Sequence, residues 1–94
     1  MDPIPNEDLL ADNHAFPGVY RIKAIGSAGG GFVERVVEAA ASELAGPGEV
    51  DHSVRETASG RHAAVTLDLT VQTPEQVRAI YARLRELDGL TLLL

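Results

Sequence analysis

The chain contains no cysteine and no tryptophan, and it has only two tyrosines and two phenylalanines. The absence of cysteine excludes disulfide bonds and thiolate zinc sites, and it suits a reducing compartment. No apolar run approaches the roughly 18 residues that a membrane-spanning helix needs, and the first residues lack the basic and apolar segments of a signal peptide. The sequence therefore predicts a soluble, cytoplasmic protein without a membrane partner.

Positive charge is also scarce, because eight Lys and Arg stand against fourteen Asp and Glu and leave a net charge of −6. A negative chain repels phosphate backbones unless its few cations share one face. Nucleic acid is therefore an unlikely partner. An alternative remains in which Arg21, Lys23, Arg55 and Arg61 together hold nucleic acid weakly.

Ninety-four residues suffice for one domain with a small core. Residues 1–15 carry two prolines and four acidic residues without sustained periodicity, so we expect a flexible acidic N-terminal arm there. Residues 16–94 are expected to form a single domain.

Hydrophobic periodicity predicts the element order strand, helix, strand, strand, helix, strand. The strands cover about residues 19–24, 50–55, 63–71 and 90–94, and the helices about 32–44 and 74–87. Thr73 followed by Pro74 is typical of a capped helix start, with Gln76 completing the capping pattern. A turn at Ser59 and Gly60 predicts a hairpin.

The hairpin register follows from that turn. It pairs Val54 with Val65, His52 with Leu67, Val50 with Leu69 and Asp51 with Asp68, so the apolar faces of the two strands coincide. Ser is not the best first residue for a two-residue turn, so a longer loop stays open as an alternative.

Two right-handed strand-helix-strand units joined by a hairpin fit most simply as an α+β ferredoxin-like βαββαβ sandwich. We expect a four-stranded antiparallel sheet of order 4-1-3-2, with both helices on one face and the other face uncovered. Val65, Leu67 and Leu69 should point toward the helices.

The chain also resembles the YbeD-like family of small bacterial proteins of unknown function. The resemblance covers about residues 16–94 and is carried by Phe16-Pro17, Gly26, "FVERVVE", Gly60 and "EQVRAIYARLRELD". The family tends to have a serine-rich segment with an aromatic residue at the hairpin, where this chain has His62. The resemblance implies a fold similar to the ACT-type regulatory domains of amino-acid metabolism and no known enzymatic activity.

The segment "GSAGGGF" before the first helix raises the question of phosphate binding. A P-loop needs Lys followed by Ser or Thr after its last glycine, and a dinucleotide fingerprint needs G-x-G-x-x-G, and neither pattern is present. Glycine here favours a tight turn onto the sheet. Because ACT-type domains bind amino acids at this place, the resemblance makes the loop a candidate site for a carboxylate ligand, with the residues Gly26, Ser27, Gly29, Gly30 and Gly31.

The sequence contains no recognisable motif for metal binding or for catalysis. His14 falls in the arm, while His52 and His62 fall on opposite faces of the hairpin, so we expect no metal and no cofactor. His52 is interpreted as a partly buried residue of an edge strand. No serine stands in a recognisable nucleophile–base motif, which predicts that the chain is not an enzyme.

The uncovered sheet face is the remaining candidate for function. We expect an interaction surface there formed by Arg21, Lys23, Arg55, Thr66 and Asp68, without the exposed aromatics that RNA-binding sheets use. The final strand is strongly apolar, and we expect Leu93 on the side opposite Leu92 and Leu94, exposed or covered by something. The sequence thus favours a regulatory or adaptor module that binds an unknown protein partner or a small carboxylate ligand. We also hypothesise a homodimer through an edge strand or the open face.

Overall fold

The computed structural model describes residues 16–45 and 47–94, so the expected arm at 1–15 lies outside the described residues. Four strands and two α-helices follow in the predicted order. They are β1 (Gly18–Ser27), α1 (Phe32–Ala41), a short 3-10 helix (Pro47–Glu49), β2 (Val50–Glu56), β3 (His62–Val71), α2 (Pro74–Arg85) and β4 (Leu90–Leu93).

The strands form one sheet in the order β2-β3-β1-β4, and every neighbouring pair is antiparallel. This is the predicted order 4-1-3-2 read from the opposite edge, so the ferredoxin-like α+β fold is confirmed. The hairpin register is confirmed as well, with Val54 opposite Val65 and Asp51 opposite Asp68.

One face of the sheet supplies the core. Val65, Leu67 and Leu69 of β3 are fully buried, as are Ile22 and Ala24 of β1. The helices cover them with Phe32, Val36, Ala40, Val77, Ile80 and Leu84, whose exposed fraction is 1% or less. Alternation in the strands and helical periodicity in α1 and α2 therefore meet at a single interface.

The second helix begins as its sequence predicts. Thr73 is its N-cap, and its hydroxyl oxygen accepts a hydrogen bond from the Gln76 amide at 3.2 Å. The Gln76 side-chain oxygen in turn accepts from the Gln72 amide at 2.6 Å, one residue before the cap. Two backbone donors at this helix start are thus satisfied by side chains.

The hairpin loop is longer than two residues, which was the alternative. The Thr57 amide donates to the His62 carbonyl at 2.9 Å, and the Gly60 amide donates back to the Thr57 carbonyl at 2.9 Å. Gly60 has φ 73°, a left-handed conformation that glycine adopts without strain. Ser59 and Gly60 lie at the centre of the loop, and for this reason the longer loop leaves the register unchanged.

In the final strand Leu93 lies on the side opposite Leu92 and Leu94, as expected, and it is covered rather than exposed. Leu93 lies in the core with 7% exposure, whereas Leu92 and Leu94 are 48% and 59% exposed. The register between β1 and β4 shifts between Ile25 and Gly26, which is a β-bulge. Leu93 is therefore covered by the helices, and its two neighbours carry the exposed apolar surface.

Candidate functional site

An apolar groove of about 620 Å³ runs between helix α1 and strand β2 on the helix side of the sheet. Its walls are small aliphatic side chains of α1 and the imidazole of β2, and its rim carries two carboxylates. The lining residues are Val33, Glu34, Val37, Glu38, Ala41, Ser42 and His52. We call this groove, together with the adjoining edge strand β2, the α1–β2 surface.

The groove exists because the apolar stripe of α1 is wider than the core that the helix covers. One row of the stripe, Phe32, Val36 and Ala40, is buried against the sheet. A second row is displaced by one position, and its Val33 and Val37 are only half-buried. Since the buried row already faces the core, the second row faces the space above β2.

Strand β2 is the other wall, and its residues after Val50 stay exposed although α1 packs beside part of the strand. Val54 and His52 point to the helix side, opposite the buried Val65 and Leu67 of β3. Nevertheless Val54 is 44% exposed and His52 is exposed. The interpretation of His52 as partly buried is therefore wrong, because the described helices leave its side chain exposed on the wall of the groove.

The outer edge of β2 is available for pairing. In the described sheet β2 pairs with β3 alone, so one side of its backbone has no strand neighbour. The strand is seven residues long, and all of it after Val50 is exposed. Such an edge presents alternating N–H and C=O groups to any added strand.

The glycine loop has a packing explanation. A Cβ on Gly26 would lie 2.5 Å from the Phe32 ring and still closer to the Gly89 carbonyl oxygen. Gly30 and Gly31 have φ values of 70° and 77°, which other residues rarely adopt. Gly29 faces open space, and Ser27 donates its amide to the Gly89 carbonyl at 3.0 Å. The predicted ligand residues thus lie in one loop. A glycine is required at position 26 because the Phe32 ring packs directly against it.

Arg35 fixes the same loop and was not singled out from the sequence. Its guanidinium donates to the Gly30 carbonyl and, at 3.0 Å, to the Asp88 carbonyl in the turn between α2 and β4. Glu34 lies in the first turn of α1, whose N-cap Gly31 provides no side-chain hydrogen bond. A guanidinium and a carboxylate thus already stand beside the helix start.

The residues predicted to form an interaction surface lie together on the sheet face opposite the described helices. Arg21 and Asp68 lie opposite each other on β1 and β3 and form an ion pair with Nε 2.8 Å from Oδ1. Lys23 lies opposite Thr66, and Arg55 lies one strand further out. The hydrogen bond from Arg21 and its positive charge hold the pKa of the Asp68 carboxyl below its usual value.

The same face also carries apolar residues that the prediction did not include. Val19 is 60% exposed near one end of β1, and Leu92 pairs with Ile25 near the other end. Leu94 exchanges backbone hydrogen bonds with Lys23 at 2.8 and 3.1 Å, so strand pairing continues to the last residue. The open face is therefore mixed, with an ion pair at its centre and aliphatic groups near β4.

Metal ligands do not converge in the part of the chain that the structure describes. No group of three or more His, Asp or Glu residues within 16–45 and 47–94 is arranged to hold a metal ion. The register places His62 on the open face and His52 on the helix side. Among the described helices, none is long and apolar enough to cross a membrane.

Together these features define a ferredoxin-like α+β fold whose exposed surfaces, among the described residues, include a groove, an edge strand and one face of the sheet. The chain belongs to the family described as "Protein of unknown function (DUF493)", which matches residues 11–94. The resemblance to the YbeD-like family of small bacterial proteins of unknown function is thereby confirmed.

Bacterial relatives agree with this assignment. A UPF0250 protein of Shewanella piezotolerans is 35% identical over 74 residues, which cover 79% of this chain and 82% of the relative. A UPF0250 protein of Vibrio vulnificus is 30% identical over 88 residues, covering 94% of each chain. The family description and these names indicate no catalytic family.

Proposed function

We propose that this chain is a noncatalytic adaptor or regulatory module that acts by docking a protein on the α1–β2 surface. The observation that carries the proposal is the apolar groove beside an unpaired edge strand. Val33, Val37 and Val54 occupy positions whose periodicity belongs to the core, yet they border solvent. Groove and edge together offer what strand-addition partners use, namely apolar contact and backbone hydrogen bonds.

A small carboxylate ligand at the glycine loop is the weaker form of the proposal. Backbone N–H groups at the uncapped start of α1 favour an anion. However, the Glu34 carboxylate lies in that first turn, and Arg35 is already engaged by the carbonyls of Gly30 and Asp88. The glycine loop is therefore a weaker candidate site for an anion than the groove is for an apolar protein partner.

Nucleic acid on the open face has the least support. Of its basic residues, Arg21 is paired with Asp68, and Asp51 lies beside that same carboxylate on the next strand. Lys23 and Arg55 remain on the strands and Arg61 in the hairpin loop, on a chain of net charge −6. Fluorescence anisotropy with single-stranded RNA at low salt tests this alternative, and an unchanged signal eliminates it.

Site-specific photo-crosslinking in the native bacterium tests the docking proposal. A benzophenone amino acid replaces Glu38, which is exposed on the groove rim, and in a matched variant it replaces Ala82, which is exposed on the second helix. We expect discrete protein adducts from position 38 that are absent from position 82. An adduct of any mass counts as a docked protein, whether it is a copy of this chain or another one.

Two results contradict the proposal. If illumination of the Glu38 variant gives no protein adduct above the Ala82 background, no protein docks on the α1–β2 surface. If free amino acids raise the Tm of the natural chain and Gly30→Asp abolishes this increase, ligand sensing at the glycine loop takes the place of protein docking as the proposed function.

A further inference from the structure

We infer that the occupant of the α1–β2 surface is a second copy of this chain, bound so that two β2 strands pair antiparallel about a twofold axis at Ser53. The inference rests on the proposed function, because it names the partner of the same surface. Three features of β2 support it: the register, the charges and the apolar side chains.

The register is restricted by the two faces of the sheet. An axis perpendicular to the sheet keeps both helix layers on the same side, and paired residues must then face the same way. Residue numbers of a pair therefore have an even sum, so one residue of β2 pairs with itself. Ser53 is the middle residue of Val50–Glu56, so centring there pairs the whole strand.

Charge selects the same register. With Ser53 opposite its own copy, Asp51 lies opposite Arg55 of the second chain, and this pairing occurs twice. Within the described residues, neither Asp51 nor Arg55 forms a salt bridge. Asp51 moreover lies opposite Asp68 on β3, so a cation on its free side relieves a like-charge contact. Centring on His52 or Val54 instead places a serine opposite Asp51 or Arg55, respectively.

The apolar side chains fit as well. The same register sets Val54 opposite His52 of the second copy on the helix side of the sheet. The two grooves then open toward each other across the new strand pair, and the half-buried Val33 and Val37 of each chain lose contact with water. Glu34 and Glu38 stand on the exposed rim, where their carboxylates can remain in solvent.

The opposite edge of the sheet is less suited to self-pairing. Strand β4 is four residues long and carries the register shift opposite Ile25 and Gly26. Short, bulged edge strands resist the addition of another strand. Strand β2 is regular over its seven residues, so the second copy is placed there rather than beside Leu92.

Single cysteines test the geometry without interference, because the natural chain has none. Paired residues in antiparallel strands have Cα atoms about 4.5–5.5 Å apart, within disulfide range. Ser53→Cys should therefore form a disulfide-linked dimer under mild oxidation. Thr66→Cys is the matched control, since Thr66 lies beside Ser53 on the same face but three strand spacings, about 14 Å, from its copy.

Charge exchange tests the partner contacts by sedimentation equilibrium from about 10 µM to about 1 mM. Asp51→Arg and Arg55→Asp each create two like-charge pairs and should weaken the dimer roughly tenfold. The double variant restores both pairs and should return to within about threefold of the natural chain. Circular dichroism confirms that each variant is folded.

The outcomes separate the two proposals. If the mass of the natural chain in sedimentation stays at 10.0 kDa up to about 1 mM and position 38 crosslinks to a different protein, the inferred second copy is wrong. The proposed docking function then still holds. A dimer that forms no Ser53→Cys disulfide, or one whose double charge variant fails to recover, overturns the inferred pairing.

Discussion

Replacement of Gly26 by alanine tests whether the glycine loop is shaped by packing. The new Cβ would lie 2.5 Å from the Phe32 ring and closer still to the Gly89 carbonyl oxygen. The carbonyl belongs to backbone that also accepts the Ser27 amide at 3.0 Å, so it has little freedom to retreat. Overpacking of this kind costs about 1–3 kcal/mol, and we expect the upper end because one of the two contacts is backbone.

A loss of about 3 kcal/mol is large for a domain of this size, whose total free energy of unfolding is roughly 5–14 kcal/mol. It corresponds to a fall in Tm of about 12–24 °C. Urea denaturation followed by circular dichroism measures the free energy, and differential scanning calorimetry measures the Tm. Phe32→Leu removes buried core volume and should destabilise the natural chain, but it should cost less in the Gly26→Ala background, because there it also relieves one of the two contacts.

Gly29→Ala is the matched control, because a Cβ at position 29 meets nothing within 4 Å. It should leave stability unchanged or raise it by about 0.4–1 kcal/mol, since it restricts the unfolded chain. If the free energy of unfolding of Gly26→Ala lies within about 0.5 kcal/mol of that of the natural chain, the packing explanation is wrong and the glycine at position 26 needs another explanation.

Three further predictions concern single side chains. Arg21 lowers the pKa of the Asp68 carboxyl. The stabilisation from this carboxylate is therefore complete above its unfolded pKa of about 3.9 and is lost as pH falls through the lowered value. Carbon-detected NMR titration should show the Asp68 pKa rising toward normal in Arg21→Met. Burial, with a contribution from Tyr20, raises the pKa of the Tyr81 phenol, so stability should fall as pH rises above about 10, and thermal melts should show a smaller alkaline loss for Tyr81→Phe. Thr73→Ala removes the cap bond to the Gln76 amide and should cost about 1 kcal/mol in urea denaturation, whereas Thr73→Ser should cost less than half of that.

The sequence predicts the fold well because its local signals agree with one another. Alternation through residues 63–71 is uninterrupted, and the fully buried Val65, Leu67 and Leu69 confirm it. Handedness of the strand-helix-strand units then leaves one simple topology. The register of the hairpin survives the longer loop because Ser59 and Gly60 remain at its centre.

The groove is harder to predict because periodicity does not reveal how far a helix extends over a sheet. Val33 and Val37 have the spacing of core residues, as do Val54 and His52 on β2. Their exposure depends on the lateral position of α1, whose Phe32 packs against Gly26 and Gly89. A useful signal in the sequence is the doubled apolar row of α1, which is wider than a two-layer core of this size requires.

Concentration-dependent stability follows if the second copy completes this surface. A small core supplies limited burial, and binding that occurs only in the folded state adds stability by mass action. For a dimer, each tenfold rise in protein concentration above the dissociation constant adds about 1.4 kcal/mol per dimer, or about 0.7 kcal/mol per chain, and should raise Tm by about 3–6 °C. Asp51→Arg should flatten this dependence while Thr66→Cys, kept reduced, retains it. A Tm of the natural chain that does not change over concentrations at which sedimentation shows a dimer contradicts the coupling between pairing and folding.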